Sequence, residues 1–128
     1  MLGATFRYQV YNGTGVTVTV TLKDKRWKFG SDGSLTFSAE ATPISASAIS
    51  TVSYGNSGTI DNSTDKYIGA NMSVLFDVSA SATGTVAVYL QRSTDGGTTW
   101  PSNGNGEWIG GAYFSASSTD ITKNFSVA

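Results

Sequence analysis

The sequence predicts an all-β protein, a single antiparallel β-sandwich, jelly-roll-like or immunoglobulin-like, with eight or nine strands filling residues 1–128 as one domain. Three observations predict it. Apolar and hydroxyl residues alternate with period 2 in segment after segment, and no window of about eleven residues carries a helical stripe. Clusters of Gly, Asn, Asp and Ser separate those segments at hairpin spacing. The chain has 128 residues, with no break in composition; this is one domain's length, enough to bury a core without disulfides.

The elements follow in order. Ala4 to Tyr11 places Phe6, Tyr8 and Val10 in one phase. Asn12-Gly13-Thr14-Gly15 follows, and Asn-Gly tolerates the positive φ of a tight turn, so a hairpin is expected there. Val16 to Leu22 is the cleanest strand: Val16, Val18, Val20 and Leu22 face inward, and three Thr face water. A third strand is expected over Lys25–Phe29, with Trp27 and Phe29 in phase. After the turn at 31–34, Leu35–Glu40 is a fourth. Pro43 excludes a central strand nearby, so residues 41–67 are read as one strand near Ile49–Tyr54 and a long loop over 55–66. Ala70–Ser79 carries Met72, Val74, Phe76 and Val78 on one face. A turn at 81–84 leads to Thr85–Arg92, with Val86, Val88 and Leu90 inward. A Gly-rich loop spans 93–107. Trp108–Ser115 and Asp120–Val127, with Ile121, Phe125 and Val127, complete the set.

Composition excludes several function classes. Without Cys or His, the chain lacks the thiol nucleophile, the commonest general base and the commonest zinc ligand. No catalytic constellation, cofactor site or metal site is predicted. Lys and Arg number 8 against 9 Asp and Glu, a balance that argues against nucleic-acid binding. No apolar run is long enough to span a bilayer, so no membrane insertion is expected. The first residues have neither the charged nor the apolar region of a signal peptide, which predicts synthesis in a cytoplasm. Charged residues are 13% of the chain, whereas 18 Ser and 17 Thr make its surface neutral and hydroxyl-rich.

Two resemblances rest on the same stretch. Ser93-Thr94-Asp95-Gly96-Gly97-Thr98-Thr99-Trp100 fits S-x-D-x-G-x-x-W and resembles the Asp-box turn of sialidases and related β-propellers. It implies a structural turn built on Ser93, Asp95, Gly97 and Trp100. Enzyme activity does not follow, because the box occurs once and the arginine cluster and nucleophilic Tyr of sialidases cannot be placed on this chain. More broadly, Val86 through Trp100, followed by the Gly/Asn loop and Trp108-Ile109-Gly110-Gly111, resembles small virion proteins of tailed bacteriophages. In those proteins such text is one arm of a hairpin whose second strand follows the loop. The resemblance implies a non-enzymatic structural protein of the virion (head decoration, neck or tail), assembling with itself as a homo-oligomer and with other virion proteins.

Three further features are candidates for contacts. Lys23-Asp24-Lys25-Arg26-Trp27-Lys28 holds four of the eight basic residues. It is read as a charged hairpin end that discourages edge pairing, with Lys25, Arg26 and Lys28 as candidate subunit contacts. Asp61-Asn62-Ser63-Thr64-Asp65 starts like a calcium loop, but has Lys66 and Met72 where that loop needs Gly and Glu; turn chemistry is the expectation. Trp100, Trp108, Tyr113 and Tyr89 crowd the last third. If exposed together, Trp100, Trp108 and Tyr113 would stack on sugar rings, the alternative of a carbohydrate-binding module or adhesin for a host surface glycan. If not, Trp100 packs under its own turn and Trp108 opens a core strand.

Overall fold

A computed structural model describes all residues, Met1–Ala128. The strands are β1 (Thr5–Asn12), β2 (Val18–Phe29), β3 (Leu35–Phe37), β4 (Ala41–Ile49), β5 (Ser53–Asn56), β6 (Ile60–Asp61), β7 (Gly69–Val78), β8 (Ala82–Ser93), β9 (Glu107–Ser117) and β10 (Ile121–Val127). They form two antiparallel sheets packed as a sandwich. In the first, β5 and β6 lie end to end along one edge of β1, followed by β8 and β9. In the second the order is β10, β7, β2, with β3 and β4 end to end along the far edge of β2. No helix is long and apolar enough to cross a membrane.

The core is where the alternation puts it. Phe6, Tyr8 and Val10 of β1 and Val86, Val88 and Leu90 of β8 face Val18, Val20 and Leu22 of β2 and Met72, Val74, Phe76 and Val78 of β7. Val127 joins them, while Val16, Ile121 and Phe125 pack against them partly buried. Gly110 leaves room for the Phe125 ring, which would collide with any Cβ there.

Five expectations are corrected. The Asn12-Gly13 segment does not close a hairpin: β1 pairs with β8 on one side and with β5 and β6 on the other, so β2 lies across the core from it. The buried Asn12 side chain holds this crossing, donating to the Val16 and Ile49 carbonyls at 2.8 and 2.9 Å and accepting the Thr14 N–H. A local turn signal reports a reversal of the chain, and two strands with one apolar face each can reverse across a core as readily as side by side. The chain crosses again between β7 and β8, where strand pairing begins at Ala82 in place of the expected turn at 81–84.

The other corrections concern length. Val18–Phe29 is one unbroken strand, in register with β7 from Val18↔Val78 to Trp27↔Gly69. The charged cluster therefore lies within a central strand, and its last residues, Trp27 and Lys28, enter the β2–β3 hairpin. Because the phase carries through, Asp24 occupies an inward position, and Trp27 and Phe29 stand outside the core. The fourth strand, expected over 35–40, ends at Phe37. Residues 41–67 hold three strands where one and a loop were expected, which raises the total to ten. Pro43 is accommodated because β4 is an edge strand, and it sits in an irregularity between the pairs Leu22↔Ile44 and Asp24↔Ala41.

Candidate functional site

The outer face of the first sheet carries aromatic residues in rows. Cross-strand partners place Tyr54, Tyr11, Ala87 and Gly111 in one row, Tyr89 and Trp108 in the next, and Thr85 and Tyr113 on the other side. Ala87 and Gly111 form a low floor between the taller rings, leaving an open trough of about 540 Å³. Its lining, Tyr11, Tyr89, Trp108 and Tyr113 with these small residues and their neighbours, includes no charged side chain. Trp108 is 63% exposed and Tyr113 61%.

A β-bulge creates this arrangement. Trp108 and Tyr113 are five positions apart, so a regular strand would send them to opposite faces. The register shifts between Val88↔Gly110 and Tyr89↔Trp108, which leaves Ile109 as the extra residue. Ile109 packs against the core while Trp108 joins Tyr113 outside. Bulges commonly re-aim a side chain in this way. Trp108 therefore stands at the start of β9 with its side chain outside the core.

The trough is braced from one side by the β8–β9 loop. Gln9 and Gln91 lie on the outer face yet are fully buried, because this loop folds back over them. Gln9 donates to Asn56 and Asn103 at 2.9 and 3.0 Å and accepts the Gly104 N–H at 3.0 Å. Gln91 donates to the Pro101 carbonyl at 3.1 Å and accepts from Arg7 Nε at 2.8 Å. Beyond them the Tyr11 and Tyr54 rings pack together at a tilt of 32°, with centroids 4.7 Å apart, and Gly104 lies against the Tyr54 hydroxyl.

At the loop's start, Asp95 accepts hydrogen bonds from the Ser93 hydroxyl, the Thr98 and Thr99 N–H groups and the Thr99 hydroxyl. The bonds from Thr99, then that from Ser93, hold its carboxyl well below the usual carboxylate range. The Ser93 hydroxyl accepts the Gly97 N–H at 2.8 Å, and Gly96 and Gly97 take positive φ. Trp100 lies under the Arg7 guanidinium, 4.4 Å from ring centroid to Cζ. Partial burial lowers the Arg7 pKa. Trp100 is outside the trough, separated from it by the segment over Gln9 and Gln91. Of the sequence-predicted aromatics, the structure brings Trp108, Tyr113 and Tyr89 together and leaves Trp100 apart.

The basic cluster is divided by the phase of β2. Arg26 turns inward: its Nε donates to Asp24 Oδ2 at 2.9 Å, and the same oxygen accepts the Tyr8 hydroxyl at 2.7 Å from the opposite sheet. Burial, then the Asp24 charge, pushes the Tyr8 pKa far up. Lys28 donates to the Asp65 carbonyl at 2.8 Å and sits over the Tyr67 ring. Lys25 is exposed on the outer face of the second sheet, beside the 23–28 stretch's other outward lysine, Lys23. On that face the β2–β3 hairpin carries a square of apolar side chains. Trp27 pairs with Phe37, Phe29 with Leu35, and the Trp27 and Phe29 rings meet edge to face. Phe29, Leu35 and Phe37 are 58%, 52% and 49% exposed.

Asp61 accepts the Ser63 N–H and hydroxyl at 2.8 and 2.6 Å, a turn bond that lowers its pKa. Asn62 is buried and bonded to the Gly3 and Tyr67 backbone.

Sequence reasoning missed Tyr11, Tyr54 and the two glutamines. Tyr11 and Gln9 sit at the solvent parity of β1, and Tyr89 and Gln91 at that of β8. A large ring or an amide at solvent parity, repeated on adjacent strands, is the signal that would have marked a covered or binding face. Compared with protein-family models, curated proteins and solved structures, the chain matches none at a significant level.

Proposed function

We propose that this protein is a non-enzymatic structural module of a phage virion that works by assembly with its own copies and with other virion proteins. The observation that carries the assembly reading is the apolar square at Trp27, Phe29, Leu35 and Phe37. Three large apolar side chains about half in water, grouped on one hairpin, mark an interaction surface far more often than scattered single ones do. The edge strand β3 is three residues long and leaves one backbone edge open beside this square. The scarcity of charge elsewhere keeps like-charge repulsion between copies small. Placement in a virion rests on the likeness of residues 86–111 alone.

Light scattering of the purified protein across a concentration series tests assembly. Wild type is expected to form a closed oligomer, as homo-oligomers usually do, and Phe29→Ser/Phe37→Ser to stay monomeric with an unchanged circular dichroism spectrum. Mass spectrometry of purified virions tests placement. A strictly monomeric wild type at high concentration, absent from virions, refutes the proposal.

A further inference from the structure

We infer that the aromatic trough on the first sheet is a binding site for a neutral glycan chain. It is a second surface, on the other sheet from the apolar hairpin, and does not depend on the assembly reading.

The ligand class follows from the trough's chemistry. Tyr11, Tyr89, Trp108 and Tyr113 offer flat ring faces, and their phenol and indole groups add hydrogen-bonding edges. The trough is open, so a bound molecule keeps its other side in water. A wholly apolar ligand would stay half-hydrated there. A pyranose ring is two-faced: its C–H face lies on an aromatic ring while its hydroxyls reach the phenols and solvent. The absence of Lys, Arg, Asp and Glu from the lining matches an uncharged sugar and offers nothing to a phosphate, sulfate or uronate. Tyr113 and Trp108 stand opposite Thr85 and Tyr89, four residues apart on β8, or about 13 Å. That spacing suits a chain lying along the strands rather than a single sugar.

The Tyr11 side of the trough is also held in place before any ligand arrives. Tyr54 braces Tyr11, the loop residue Gly104 lies against Tyr54, and the buried Gln9–Gln91 network fixes that loop. Tyr11, held in this way, loses little freedom on binding. A proline-rich peptide also lies on aromatic rings, but its ridged helix needs a succession of grooves between them. This trough has one floor, Ala87 and Gly111, between its rows.

The test is a glycan array followed by titration calorimetry with the oligosaccharide that binds, taking cellohexaose and mannohexaose as the first neutral probes. Binding of a neutral glycan is expected, about tenfold weaker in Trp108→Ala and in Tyr113→Ala, as loss of one stacking ring implies. Trp108→Phe should retain most of it. Trp100→Ala, outside the trough, and Phe29→Ser/Phe37→Ser, on the other sheet, should bind like wild type; the latter separates this result from the oligomeric state. Melting temperatures of the two trough variants check that they fold, which the exposure of both side chains leads one to expect. Four outcomes would overturn the inference: no neutral glycan bound, binding unaffected by Trp108→Ala, preference for charged glycans, or capture of a proline-rich peptide instead.

Discussion

Tyr8 cannot ionise in its folded position without placing a phenolate beside the Asp24 carboxylate. Its pKa is raised by burial and by that charge. The stability it contributes is therefore fully present below the ordinary tyrosine value of about 10 and is lost as pH rises through the raised one. Resistance to urea is expected to fall above about pH 10, and this alkaline fall should shrink in Tyr8→Phe. At neutral pH, Tyr8→Phe removes a hydrogen bond to a charged group and should cost about 1.5–3 kcal/mol. Asp24→Ala strands both the Arg26 guanidinium and the Tyr8 hydroxyl and should cost about 3–5 kcal/mol. If Asp24→Ala proves no worse than Tyr8→Phe in urea, the two sheets are not tied by this carboxylate. Asp95 works in the opposite direction. Its lowered pKa means that its contribution is present above the usual carboxylate range and is lost as pH falls. Asp95→Ala should speed amide exchange at Thr98 and Thr99 at neutral pH, where the wild-type carboxylate accepts both N–H groups.

At the scale of elements, one extra residue and one missing irregularity decide which side chains reach the surface. Ile109 bulges and brings Trp108 to the face of Tyr113; β2 runs past Asp24 without a shift against β7 and leaves Trp27 and Phe29 outside. Gln91→Ala should unpin the β8–β9 loop at a cost of about 1–3 kcal/mol. Its signature would be faster exchange of the Gly104 amide, and unchanged exchange there would mean the loop holds itself. Gly110→Ala should cost about 1–3 kcal/mol by forcing the Phe125 ring off β9. The apolar faces of β1, β7, β8 and the first half of β2 were legible in the sequence because large apolar residues recur there at every second position. The aromatic face was half legible: Trp108, Tyr113 and Tyr89 are close in sequence, but Tyr11 and Tyr54 come from strands that only the fold brings alongside. Asp24 was not legible at all, since a carboxylate among lysines reads as surface until Tyr8 arrives from the other sheet. Residues 41–67 resisted because short edge strands carry little alternation to read.

For the whole molecule, the order of the sheets makes long-range pairing the rule. β1 finds its partner β8 in the register Thr5↔Ser93, so most of the chain must exist before the first sheet can close. Refolding is expected on the millisecond-to-second scale of all-β domains; a microsecond phase accounting for the full signal would contradict this. The three tryptophans of the fold provide the optics for following it. Trp108 stands in water, Trp100 lies under a guanidinium, and Trp27 meets Phe29 edge to face, each at a different working surface. Variants retaining one indole apiece should therefore emit at separable wavelengths, with Trp108 reddest. On the two proposed surfaces such variants would report sugar occupancy through Trp108 and subunit contact through Trp27, without an attached dye.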